Sequence, residues 1–181
     1  KSTNGGESWT SIGTRIELEG SNTALAIDAH NNIVYVGHNN GSVLKSTNNG
    51  LTWDTTAITN WGHIVSQLFV DPETGLYACI GRLGIWNSTD SGANWSNLNA
   101  GLASFVSVKI DKIPNTNEMF ALAYRIGIEW ALFTKQVNDS SWSKFKVLQD
   151  SLLLNSNDFV ITGDLRHILA GPSGLYRYTF P

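Results

Sequence analysis

Apolar residues along this chain fall in short runs of about five, separated by clusters of Gly, Asn, Asp, Ser and Pro. ALAIDA, IVYVGH, SVLKST and TWDTTAI make a first cycle; SQLFVD, GLYACIG, GIWNST and NWSNLN a second; VSVKID, EMFALAY, WALFTK and SWSKFKV a third. DFVITGD, RHILAG and GLYRYTF begin a fourth, and ESWTSIG near the amino terminus supplies the run that it lacks. The runs are rich in β-branched and aromatic residues and show no sustained 3.6-residue period; Asp150 to Leu154 comes nearest and is too short for a helix. They predict an antiparallel four-stranded meander, repeated.

The repeat is sharpened by a polar loop between the third and fourth runs. STNGGESW starts at Ser2, STNNGLTW at Ser46 and STDSGANW at Ser88, which are 44 and 42 residues apart. Four-stranded units at this period read as blades of a β-propeller, in which stacked sheets bury both faces. The predicted blades are 14–56, 57–98, 99–148 and 149–181, the last closed by 1–13. Four blades then form a ring, or the chain is about half of a larger one. Lys1 stands where a strand is already under way, so the sequence reads as a piece or a processed form.

Each loop residue has a mechanical task. Ser2, Ser46 and Ser88, with Asn4, Asn48 and Asp90, offer oxygens to nearby backbone N–H groups. Gly6, Gly50 and Gly92 supply a backbone angle that side chains disfavour, and Trp9, Trp53 and Trp95 anchor the returning strand. The pattern S-x-[DN]-x-G-x-x-W resembles the Asp-box, or BNR, repeat of sialidase-like β-propellers. That family includes sialidases, sortilin-type receptors, xyloglucan-active glycosidases and photosystem assembly factors, so the resemblance implies a fold more firmly than an activity. It implies that the loops are structural clasps on the face opposite the ligand site. Asn4 and Asn48 replace the usual aspartate. In the third cycle Thr134 to Trp142 spans one residue more than the motif and holds no glycine, and the fourth cycle ends YTFP without a motif.

Composition narrows the function. With 181 residues, 15% charged residues and a net charge of −3, there is no basic footprint for nucleic acid. No apolar run reaches the roughly 18 residues of a membrane span. The single cysteine, Cys79, excludes an internal disulfide and a cysteine-rich zinc site; set in LYACIG it reads as a small buried hydrophobe. Neither a metal nor a cofactor is called for. Asp90 is the only charged residue among the matched clasp positions, and calcium would want several carboxylates or carbonyls together.

Candidate chemistry is sought on the other face, in the second-to-third strand turns and the blade connections. His38, Arg82 and Arg125 fall there and can offer cationic donors to a carboxylate or sulfate, or be solvated turn residues. Trp61 and His63 can stack on a sugar or peptide, or pack between blades. The resemblance implies, for a sialidase, three arginines, a Tyr–Glu pair and an acidic aspartate. Arg15, Arg82, Arg125 and Arg166 do not map onto that set, and the Arg-Ile-Pro signature is absent. Another glycosidase needs two carboxylates across a cleft; Glu17, Glu19, Glu129 and Asp150 sit in suitable connections without a spacing that selects a pair. Asn40, Asn87, Asn94 and Asn138 match the glycosylation sequon. The expectation is a noncatalytic extracellular module, secreted, periplasmic or on a bacterial surface, that presents a propeller face to a glycan or protein. The alternative is a glycoside hydrolase or a fragment of one, and further blades or an oligomer can complete the ring.

Overall fold

The computed structural model describes residues 1–11, 20–57, 62–102, 106–113, 115–125, 129–148, 158–161, 166–171 and 174–179; side chains from 158 onward, and those of Ala57, 106–108, Arg125, Glu129, Trp130 and 146–148, are outside the description. The described residues hold fifteen strands and a single 3-10 turn, Gly81–Leu83. The first sheet is β1 (Asn22–Asp28), β2 (Ile33–His38), β3 (Ser42–Ser46) and β4 (Asp54–Ala57). The second is β5 (Val65–Asp71), β6 (Gly75–Ile80), β7 (Gly84–Ser88) and β8 (Ser96–Asn97). β9 (Val106–Lys112), β10 (Glu118–Arg125), β11 (Glu129–Gln136) and β12 (Ser143–Leu148) form the third; β13 (Asp158–Ile161), β14 (Arg166–Gly171) and β15 (Gly174–Thr179) form the fourth. Every sheet is an antiparallel meander in sequence order, as the runs predict. β8, expected from NWSNLN, is cut to two residues.

Strand alternation gives each of the first three sheets two apolar faces, and this makes them stack. Ile33, Tyr35 and Val43 of the first sheet meet Val65, Leu68, Leu76 and Ala78 of the second. On the reverse face of the second sheet, Tyr77, Cys79 and Ile85 meet Ile110, Met119, Ala121 and Phe133 of the third. The inner strands pack in the order β1, β5, β9, β13. Gly37 permits the first of these approaches, since a Cβ there would lie 2.6 Å from a Val65 methyl. Each enclosed Leu or Ile contributes about 1.5–3 kcal/mol.

The three tryptophan-ended loops close in the same way. In each, the serine hydroxyl accepts the N–H of the glycine four residues on, at 2.9 Å for Ser2, 2.8 Å for Ser46 and 2.8 Å for Ser88, and donates to the Asn or Asp side chain. That side chain then takes the N–H of Ser8, Thr52 or Asn94. The left-handed turn uses two residues rather than one: Gly5, Asn49 and Ser91 carry positive φ along with the glycine that follows each.

Residues 1–11 hold no strand; Lys1 and Thr10 bond to each other's backbone, forming a hairpin, and among the described residues the fourth sheet has three strands. Residues 12 and 13 of the expected closing run lie outside the described residues. Trp9 is 75% exposed and donates its indole N–H to the Gly6 carbonyl of its own clasp at 3.1 Å.

Candidate functional site

The β1–β2 and β5–β6 turns and the clasps lie at one end of the sheets, while the β2–β3 and β6–β7 turns lie at the other. At the turn end, His38 closes β2 and is buried, with its Nδ1 accepting the N–H of Asn40 at 3.4 Å. That ring is packed, not presented. Arg82 sits in the 3-10 turn and faces solvent, and His63 is half-buried beside Gly81. Arg125 ends β10, paired in register with Glu129. Trp61, Arg15, Glu17, Glu19 and Asp150 fall outside the described residues. Among the described residues no three His, Cys, Asp or Glu are grouped as a metal would need, and no helix is long and apolar enough to cross a membrane.

The clasp end carries a cavity of about 430 Å³. It runs over the edge of the second sheet and is walled by Asp28, Asn31 and Tyr35 of the first and Met119, Lys135 and Asn138 of the third. The floor comes from the β5–β6 turn and the third clasp, with Asp71, Thr74, Asn87, Thr89 and Ser91. A second cavity of about 350 Å³ lies across the β5–β6 turn, against Phe69, Asp111, Lys112 and Asn115.

The carboxylates here are committed to structure. Asp28 accepts the Asn31 amide at 2.8 Å and the N–H groups of Asn31 and His30, and these bonds hold its carboxyl below the usual range. Burial pushes Asp71 upward, but Lys112 Nζ at 2.8 Å, the Thr74 hydroxyl at 2.7 Å and the Glu73 N–H outweigh it, so its carboxyl too is held low. Burial likewise opposes the Lys112 charge, and its bonds to Asp71 and to Glu73 at 3.2 Å prevail, raising its pKa. Burial raises both Tyr35 and Tyr77 while Ser91 and Thr74 bond their hydroxyls; both phenols stay neutral at ordinary pH.

Lys135 differs. It is buried, its Nζ donates to the Asp139 carbonyl at 2.8 Å, and it sits 5.8 Å from the Trp142 ring centre. Burial lowers its pKa, partly offset by Asp139. Strand register shows why it is there. Val34 pairs with Ser46, Leu76 with Ser88 and Met119 with Lys135, so the lysine occupies the clasp-serine position of the third sheet. Thr134, which pairs with Phe120, stands one residue too early for that position. Counting seven residues back from Trp142, as Ser46 stands from Trp53, finds Lys135 from sequence alone. An ammonium with three donors thus replaces a hydroxyl at the cavity wall.

No family model matches the chain, and no curated protein matches it. Solved structures do. The computationally designed Ika4 protein matches with a TM-score of 0.68 at 9% identity, over 96% of this chain and 99% of that one. YCF48 from Cyanidioschyzon merolae gives 0.71 at 12%, over 91% of this chain and 55% of its own. YCF48 bound to D1 peptide gives 0.68 at 17%, over 97% and 55%. The chain therefore spans about half the length of either YCF48 structure, and identities this low speak to fold alone. Together with the stacked four-stranded meanders, these likenesses identify the chain as an all-β array of β-propeller architecture.

Proposed function

We propose that this chain is a noncatalytic binding module, secreted, periplasmic or surface-exposed, whose three hairpin loops are Asp-box clasps. Its ligand is a short polar segment of a protein or a glycan lying in the clasp-end cavity, at the end opposite to the one that the Asp-box resemblance implies. The observation that carries the reading is Lys135. A cation enclosed at the wall of a cavity of about 430 Å³, with the Asp139 carbonyl as its acceptor among the described residues, is suited to a carboxylate or sulfate on the incoming ligand. Asn87, Thr89 and Asn138 line the same cavity and can serve neighbouring polar groups, while Leu98 and Met119 supply apolar wall. That another propeller of this shape, YCF48, is seen with a peptide supports a protein segment over a glycan.

A glycosidase needs a carboxyl with raised pKa as its acid. The cavity's Asp28 and Asp71 are both held low, which favours binding over hydrolysis. The reading of the chain as a glycoside hydrolase, or a piece of one, ranks second.

Arrays of acidic peptides and of sialylated and sulfated glycans, probed beside a panel of fluorogenic glycosides, test the proposal. Retention is expected on anionic members, at least tenfold weaker for Lys135→Ser, which restores the residue of the other clasps. Unchanged retention by that variant, or glycoside turnover by the parent, overturns the proposal.

A further inference from the structure

The clasp-end cavity carries opposite charge on its two walls. On the third-sheet side stands the enclosed ammonium of Lys135. On the first-sheet side stands Asp28, half-buried, and along the floor lie Asp71 and Glu73, two carboxylates that share Lys112.

Strand register makes Asp28 and Asp71 equivalent. Val34 and Leu76 pair with the clasp serines Ser46 and Ser88, and the aspartates pair with the residues just before them, Ile33 and Gly75. Each aspartate also folds the turn after it in the same way. One carboxylate oxygen accepts the N–H groups two and three residues on, those of His30 and Asn31 for Asp28 and of Glu73 and Thr74 for Asp71. The other oxygen tells them apart. In Asp71 it takes the Lys112 ammonium of the next sheet at 2.8 Å; in Asp28 it takes the neutral amide of Asn31 at 2.8 Å. Among the described residues, the group that can bring positive charge to Asp28 is the His30 imidazole, exposed on the same turn.

The same register locates where a stronger cation would come from. Lys112 pairs with Met119, which pairs with Lys135 at the clasp position; in the second sheet the residue so placed is Val70, opposite Leu76 and Ser88. Val70 lines the cavity along with Asp28. Where the second-to-third junction has a lysine, the first-to-second junction has an isopropyl group and cavity space.

We propose that the ligand of this cavity is a protein segment bearing one basic and one acidic side chain. Its ammonium or guanidinium takes at Asp28 the place that Lys112 takes at Asp71, and its carboxylate reaches Lys135. This rests on the reading of the cavity as a binding site and names what that site selects. A carboxylate oxygen has a second lone pair for the incoming donor, and bonds between ionised groups are the strong ones. Sialylated and sulfated glycans satisfy Lys135 but set further anions beside Asp28 and the Asp71–Glu73 pair, which like-charge repulsion disfavours. A segment with both signs meets both walls. The volume of about 430 Å³ lies in the range of clefts that enclose small ligands and suits two side chains with the backbone between them.

An array of Gly/Ser peptides carrying one Glu and one Lys or Arg, one to three residues apart in either order, tests this beside the same peptides with Gln for the base. The paired-charge peptides are expected to be retained about tenfold better than the Glu-only set. Asp28→Asn, whose side-chain oxygen still accepts the N–H groups of His30 and Asn31, should abolish that difference without lowering Glu-only retention. Val70→Lys should abolish it too, by filling the place from within the chain. Far-ultraviolet circular dichroism and urea unfolding check that each variant is folded. Equal retention of paired and Glu-only peptides by the parent, or a preference that survives either change in a folded variant, overturns the inference. Such results leave the binding reading standing as long as Lys135→Ser weakens retention. An array that retains no peptide, or on which Lys135→Ser changes nothing, overturns both.

Discussion

The Trp95 indole N–H lies 3.3 Å from the Thr56 hydroxyl of the preceding sheet and 3.1 Å from the Gly92 carbonyl of its own clasp. Thr56 closes the triangle by donating to Gly92 at 2.6 Å. The clasp therefore fixes its own hairpin and also bolts the second sheet to the last strand of the first. Thr56→Val keeps the shape and removes the bolt; urea unfolding is expected to show a loss of about 1–1.5 kcal/mol. Ser88→Ala should cost more, about 1–3 kcal/mol, because it orphans the buried Gly92 N–H.

Asp90 accepts the Asn94 N–H at 2.8 Å and the Asn94 amide at 2.7 Å, and these bonds bring its carboxyl down to about 2. A depressed carboxyl stabilises the fold above its unfolded value, about 3.9, and that contribution is lost as pH falls through about 2. Carbon-detected NMR titration of Asp90 should give a midpoint near 2. Asp90→Asn with Asn94→Thr copies the second clasp, where the Asn48 amide donates to the Thr52 hydroxyl at 2.7 Å. It should match the parent at neutral pH and remove this part of the acid sensitivity.

Lys112 and Asp71 are 4% and 10% exposed and join the third sheet to the second. Lys112→Met leaves a buried carboxylate without its cation, and a loss of about 3–5 kcal/mol is expected in thermal or urea unfolding. The pH window follows from the signs. Asp71 is lowered, so its share is present above about 4 and fades in acid; Lys112 is raised, so its share is full below about 10 and fades in alkali. The difference between parent and variant should be largest between those limits.

Gln67 spans the second and third sheets. Its carboxamide accepts the Ile110 N–H at 2.6 Å and donates to the Ile110 carbonyl at 2.9 Å, acting as one rung of a ladder between inner strands that are otherwise in different sheets. Gln67→Leu leaves both backbone groups unpaired and is expected to cost about 2–4 kcal/mol. Native-state hydrogen exchange at Ile110 should accelerate at least tenfold.

Cys79 packs in the second-to-third interface, fully enclosed, with its thiol donating to the Gln67 side-chain oxygen, Oε1, at 3.6 Å. A thiol-specific colour reagent should react with the parent only as fast as the chain unfolds, and at once in denaturant.

Local chemistry determined the elements. Period-two alternation, β-branched composition and the Ser-Asn/Asp-Gly turn residues are properties of neighbours in sequence. IVYVGH, GLYACIG and EMFALAY could therefore be placed as second strands before any sheet was seen. The clasp bonds of Ser46 and Ser88 were legible for the same reason, since every partner lies within four residues. Tertiary structure decided which face of each strand met which sheet. It enclosed His38, a donor by sequence position, and it put Lys135 on a cavity wall through a one-residue register that Thr134 had obscured. Leu25 and Leu68 occupy the same place in equivalent strands, and no local rule separates them. One is covered and the other is not, because burial depends on the sheet that arrives from elsewhere in space.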